Sequence, residues 1–244
     1  LPEGKSLVAY THAGPSIARF NANAQVDSTF GVNGRVGLPW HFKFRAFEIQ
    51  PDGKILLAVA DESQASFLFR FTSAGEPDIA FGTGGKADLG QIGLLAGIAV
   101  FPNGKIALAG RDGKVVQLTS SGQFDPSFNA AGVLELPLSI RSIASHPSGK
   151  TLLGLRSNGF EIARINLDGS GLDPDFGGGD GIVSFNTSGE AAYCNSMAFQ
   201  ADGKIVATGT DLLNGKNLYL ARFSADGQPD LTFNGTGLQT TDIG

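Results

Sequence analysis

Two short signatures alternate along the chain, five copies of each, and their spacing limits the folds open to it. One is Pro-x-Gly-Lys, seen as Pro2-Glu3-Gly4-Lys5, Pro51-Asp52-Gly53-Lys54, Pro102-Asn103-Gly104-Lys105 and Pro147-Ser148-Gly149-Lys150. The fifth copy, Ala201-Asp202-Gly203-Lys204, has lost its proline. The other is Asp-x-x-Phe, carried by Asp27/Phe30, Asp78/Phe81, Asp125/Phe128, Asp173/Phe176 and Asp230/Phe233. Successive Gly-Lys copies lie 49, 51, 45 and 54 residues apart. Periods of this length belong to solenoids and propellers, in which each repeat is one supersecondary unit.

Each copy has a local physical reading. Proline sets φ for the second position of a tight turn, Asp or Asn bonds its own backbone, and glycine supplies the remaining dihedral. The run after the turn, such as Ile55-Leu56-Leu57-Ala58-Val59, has the unbroken apolar character of a strand buried on both faces. A second strand with larger side chains follows, as in Phe67-Leu68-Phe69-Arg70-Phe71. Then comes a Gly-x-x-Asp-x-x-Phe loop, whose Asp is expected to cap backbone N–H groups and whose Phe is expected to plug the seam between units. One strand on either side completes four per unit, roughly Phe44–Gln50, Lys54–Ala60, Ser66–Thr72 and Lys86–Leu89 in the second. No segment shows a sustained helical period. The expected fold is therefore all-β: a β-propeller of about five four-stranded blades, with a β-solenoid as the alternative.

The phase of the repeat predicts a single domain, 1–244. Its units run approximately over 1–20 plus 237–244, 21–72, 73–119, 120–166 and 167–236, so that the terminal segments share one blade. That blade lacks the innermost strand, which is expected in residues outside this sequence or in further repeats. An opening on Leu1-Pro2-Glu3, without Met or signal peptide, is the start expected of a processed chain or a fragment.

The match of Gln50-Pro51-Asp52-Gly53-Lys54-Ile55, then Arg70-Phe71, Gly75, Asp78 and Phe81-Gly82, resembles the bacterial delta-60 repeat family. The resemblance covers nearly the whole chain. It implies a propeller, often within long secreted or surface proteins of bacteria, and hence an extracellular, cell-surface or periplasmic location. It implies no reaction, ligand or cofactor, and it transfers no catalytic residue.

Composition narrows function mainly by exclusion. A net charge of −5 without a long Lys/Arg run gives no footprint for nucleic acid or an anionic membrane. The lone cysteine, Cys194, can form no internal disulfide and anchors no zinc site. No stretch approaches 18 uninterrupted apolar residues, so no membrane insertion is expected.

Antiparallel order places the Pro turns and the Asp-x-x-Phe loops on one face and the variable connections on the other. A motif repeated around a ring is scaffold, so a unique site belongs among the variable loops. The ligand-binding candidates there are Trp40, His41, Arg45, Arg141, Tyr193 and Asn195. An aromatic beside hydrogen-bonding side chains suits a sugar face or a peptide anchor. The expected function is a non-catalytic recognition or scaffold module of an exported protein, with a carbohydrate or protein partner. The alternative is a hydrolase or lyase at the channel mouth, drawing on His12, His41, Arg45, Glu62, Arg141 and Asn195.

Other signals are weak. The stretch Ala144 to Thr151 resembles a phosphate loop, but such a loop must open a helix. Asp168 to Asp175 is acidic and Gly-rich but lacks the closing Glu of a calcium loop. The three histidines show no metal-ligand spacing, and no metal or cofactor is expected. Asn186-Thr187-Ser188 and Asn234-Gly235-Thr236 match the glycosylation pattern at chance frequency.

Overall fold

The computed structural model describes residues 1–185, 187, 191–211 and 217–243. Among them the chain is all-β apart from one short 3₁₀ turn at Pro2–Gly4. Five groups of antiparallel strands follow one another, each in chain order. The first holds β1 (Ser6–Thr11), β2 (Pro15–Phe20) and β3 (Arg35–Gly37). The second holds β4 (Lys43–Ile49), β5 (Ile55–Ala60), β6 (Ser66–Phe71) and β7 (Lys86–Gly90). The third is built from β8 (Leu95–Val100), β9 (Ile106–Gly110), β10 (Lys114–Leu118) and β11 (Val133–Glu135). The fourth takes β12 (Ile140–Ser145), β13 (Thr151–Ser157), β14 (Phe160–Ile165) and β15 (Ile182–Phe185). The fifth takes β16 (Ala192–Phe199), β17 (Ile205–Asp211), β18 (Asn217–Phe223) and β19 (Leu238–Asp242). A short β13–β16 pairing, Arg156 with Tyr193 and Ser157 with Ala192, joins the last two groups into one eight-stranded sheet. The lead strands β4, β8, β12 and β16 lie successively side by side.

The expectation that the terminal segments share a blade is corrected. β19 pairs with β18 along Asn217–Ala221, whereas β1 pairs with β2. The reason is local. The loop that carries Asp230 and Phe233 returns the chain beside the strand it has just left, as in every earlier unit, so β19 needs no distant partner. The first group, which opens at the Pro turn, holds three strands where the others hold four.

Strands such as β5 and β9 are buried along their whole length, which accounts for their unbroken apolar sequence. Between groups, the repeat phenylalanines form the seams. Phe30, Phe81, Phe128 and Phe176 are fully buried, and each rests on the loop glycine of the next unit. A Cβ on Gly75, Gly122, Gly169 or Gly227 would come within 2.9, 2.7, 2.7 or 2.6 Å of that ring. Each of these glycines also has positive φ, so two independent constraints exclude a side chain there. Ala24, the one substitution at this position, is exposed, with φ 61°. Its side chain lies in solvent, so the dihedral is the constraint it meets. Phe233, the last of the series here, is only half-buried.

The polar repeat residues make one network per unit. Asp78 accepts from Arg70 Nε at 2.8 Å and pairs with Lys54 Nζ at 3.1 Å. Asp173 sits 2.5 Å from both Arg164 Nε and Lys150 Nζ. Arg19 and Lys5 hold Asp27, and Arg222 and Lys204 hold Asp230. Burial alone would raise the Asp173 carboxyl, but hydrogen bonds from Lys150 and Arg164 outweigh it and hold the pKa below the usual carboxylate range. The same arginines cover the rings of Phe30, Phe81, Phe176 and Phe233 at 4.3–5.0 Å. Three of them also donate to a carbonyl of the next unit: Arg19 to Ser73, Arg70 to Ser120 and Arg164 to Ala225. The repeated motifs are thereby consumed in scaffold.

Candidate functional site

With the motif face so occupied, free chemistry lies at the opposite ends of the strands. There the lead strands share an irregularity that the repeat motifs do not announce. β4, β8, β12 and β16 each shift register at one residue, between Phe44 and Ala46, Leu95 and Gly97, Ile140 and Ser142, and Cys194 and Ser196. The unpaired residues of these bulges are Arg45, Ala96, Arg141 and Asn195. Bulges of this kind re-aim side chains next to functional sites. Each stands eight residues before the glycine of its Pro turn. That spacing was available in the sequence, but arginine in two copies, alanine in one and asparagine in another give no repeat signal.

Two separate groups result. In the second unit, Phe42 anchors the loop before β4 by packing edge-on against Phe67 and Phe69, at 5.7 and 5.5 Å between centroids. That anchor leaves Trp40 74% exposed, with His41 edge-on to it at 6.0 Å. Arg45 donates through Nη2 to Gln64 Oε1 at 3.2 Å in the β5–β6 turn. Asp61 accepts hydrogen bonds from Ser63 and from the Ala65 N–H, and these lower its pKa.

The second group bridges the fourth and fifth units. The Arg141 guanidinium lies 4.1 Å over the Tyr193 ring and that of Arg156 5.6 Å from it. Arg141 Nε is buried without a hydrogen-bond partner. Burial first, and then the like charges of Arg111 and Arg156, lower the pKa of Arg141. Below this group, Ser142 Oγ donates to the Cys194 carbonyl at 2.8 Å and ties β12 to β16. Asn195 Nδ2 reaches Thr210 Oγ1 at 3.4 Å. Among the described residues no hydrogen bond, ion pair or ring contact links Trp40, His41 or Arg45 to Arg141, Tyr193 or Asn195, and β8 separates their lead strands. His12 lies exposed in the β1–β2 turn of the first unit, and Glu62 lies in the β5–β6 turn. The six residues proposed for a catalytic centre are thus spread over several units. Burial pushes the Cys194 thiol up to about 12, which removes it as a nucleophile at neutral pH.

The weaker signals resolve similarly. Gly149-Lys150 is the turn between two strands, with Lys150 committed to Asp173. Asp168 caps its own turn by accepting from the Ser170 N–H. Among the described residues no three His, Cys, Asp or Glu side chains group as metal ligands. Asn186 and Ser188 lie outside the described residues, as do 212–216 of the long loop before β18. Asn234 donates its amide to the Leu238 carbonyl at 3.1 Å. A cleft of about 570 Å³, lined by Leu1, Leu7, Ile49, Pro51 and Ile55, lies on the motif face, away from both groups.

His146 precedes its Pro turn, where Gln50 and Phe101 stand in other units, and is buried. Its Nδ1 lies 2.6 Å from Ser148 Oγ, and its Nε2 is buried without a partner. Burial, then the charges of Arg164 and Lys150, lower its pKa from 6.5. With the folded-state value depressed, the unfolded chain binds the proton first, so stability falls as pH drops below about 6.5. His146→Gln removes this loss. Thermal melts at about pH 5 and pH 7.5 then differ less for the variant than for the parent; equal differences refute the assignment. The paired Asp carboxyls titrate well below this window and leave it clear.

Three segments, 50–81, 102–128 and 200–233, match the family model described as "Domain of unknown function (DUF5122) beta-propeller". Each spans a Gly-Lys turn through to its Phe. The matches support an uncharacterised β-propeller repeat family. No curated protein sequence matches the chain. Among solved structures, virginiamycin B lyase from Staphylococcus aureus is similar at a TM-score of 0.59 and 15% identity, covering 100% of this chain and 82% of that one. A protein of unknown function from Bacteroides caccae gives 0.55 at 12% identity, covering 96% and 82%. Chaetomium thermophilum Raptor gives 0.56 at 14% identity, covering 93% of this chain and 20% of that one. At these identities the likeness is one of fold alone.

Proposed function

We propose that the chain is a non-catalytic recognition module of an exported bacterial protein, binding a glycan or protein partner through its variable loop face. In this reading each strand group is one blade, five in all, and the first is short of its inner strand. One asymmetry carries the proposal. On the motif face every repeat carboxylate is ion-paired. On the loop face Trp40 stands exposed, and Arg111, Arg141 and Arg156 make no ion pair among the described residues. Exposed aromatic and guanidinium groups on a rigid scaffold are the usual anchors of recognition surfaces.

Trp40 is the only tryptophan, so its emission reports binding at its own loop without a label. Titration with a glycan panel and a peptide panel is expected to give a saturable partner whose affinity drops on Arg141→Ala or Trp40→Ala. A partner whose affinity depends only on motif-face residues overturns the reading.

A further inference from the structure

The arginine group on the third and fourth units, beside Tyr193 of the fifth, is a charge arrangement without its complement. Arg111 comes from the β9–β10 turn, Arg141 from the β12 bulge and Arg156 from the end of β13. Arg111 and Arg156 are both tied to the segment that leads into Arg141: the Arg111 carbonyl accepts from the Ile140 N–H at 3.3 Å, and the Arg156 N–H donates to the Ser139 carbonyl at 2.8 Å. None of the three donates a side-chain hydrogen bond or meets a carboxylate among the described residues. On the motif face the repeat arginines differ: Arg19, Arg70, Arg164 and Arg222 each have an aspartate within 2.9 Å. Holding three guanidiniums together is unfavourable unless something anionic joins them. Tyr193 offers no carboxylate; its ring face is taken by Arg141, which fixes that guanidinium in place.

Resting on the recognition reading above, we infer that this group is the binding site for an acidic sugar, whose carboxylate or sulfate is held by Arg141, Arg156 and Arg111. The planar fork of a guanidinium matches such oxyanions two atoms at a time. Beside it, Asn195 and Thr210 share only a long 3.4 Å hydrogen bond. An amide and a hydroxyl so loosely paired suit the neutral hydroxyls of a sugar ring, which an acidic peptide would leave unmatched.

The test is calorimetric titration of the whole chain at low and moderate salt with glucuronate and sulfated oligosaccharides, inorganic sulfate, neutral oligosaccharides and an acidic peptide. Expected are binding of the acidic sugars, weaker binding of inorganic sulfate, and affinity that falls with salt. Arg156→Ala and Arg111→Ala, both exposed positions that leave the fold intact, each weaken acidic-sugar binding about 10- to 100-fold. Arg141→Lys, which keeps the charge but not the fork, falls between parent and alanine. Neutral sugars binding as well as acidic ones, unchanged by these variants, overturn the inference and leave the recognition reading standing. Tight binding of the acidic peptide without the sugars replaces the ligand class. Inorganic sulfate binding as tightly as any sugar reduces the site to an anion hole, and no binding in any arm overturns it.

Discussion

Phe128→Ala lowers stability by about 3–5 kcal/mol, the cost of emptying a fully enclosed aromatic site. For a chain of this size that corresponds to a fall in melting midpoint of roughly 6–20 °C. The ring is 1% exposed and rests on Gly169 of the following unit, where a Cβ would approach to 2.7 Å. Collapse around the gap is restricted, because the surrounding strands are held in register by their own ladders. Phe233→Ala is the internal control. It occupies the same motif position but is only half-buried, and its loss costs no more than about 1.5 kcal/mol. Parallel urea and thermal denaturation of the two variants decides the matter. Equal losses would mean that the ring acts within its own loop and is not a seam plug.

Asp173→Ala is the second large effect, about 3–5 kcal/mol. The carboxylate is 1% exposed and is the shared partner of Arg164 and Lys150. Removing it leaves a buried guanidinium with no counter-charge and takes the acceptor from the Asp175 N–H. The carboxyl pKa is depressed in the folded state, so its contribution is present at neutral pH. That contribution is lost as pH falls below about 4 through the folded value. The third unit shows how the network tolerates change: Gln117 replaces the arginine, and Asp125 keeps Lys105 at 2.6 Å and Ser127 Oγ at 2.7 Å. Arg164→Gln is therefore milder than Asp173→Ala, and the double variant costs less than the two single losses added together. Additive losses in a denaturation cycle would show that the pair contributes no coupling.

The scaffold was largely legible because it is repeated. Five copies of Gly-Lys and five of Asp-x-x-Phe marked the turns of one face, and the four strands expected for the second unit coincide with β4 to β7 within a residue or two at most ends. The candidate site was legible only in part. Arg45, Arg141 and Asn195 were singled out, but the bulge that aims them was not. Dissimilar side chains at one register carry no periodic signal, and a register shift exists only between two strands. The convergence of Arg111 and Arg156 on Arg141 was missed for a related reason: they approach from the preceding unit and from the next strand, 30 and 15 residues away in the chain. The shared terminal blade was expected from repeat phase alone. Phase says which segments are complementary, not which strand edge is nearest when the chain returns.

The sequence by itself determined the all-β class, the repeat unit, the split between a motif face and a variable face, and the residues that would be spent on scaffold. Those follow from local rules of turns, strand burial and capping, which act over a few residues and recur with the motif. Only the tertiary structure decided where β19 pairs, why Ala24 is tolerated where four glycines are not, and which arginines are left without a counter-charge. Each of these depends on what a neighbouring unit brings within a few ångströms, and contacts across a seam are not written in the spacing of either side alone.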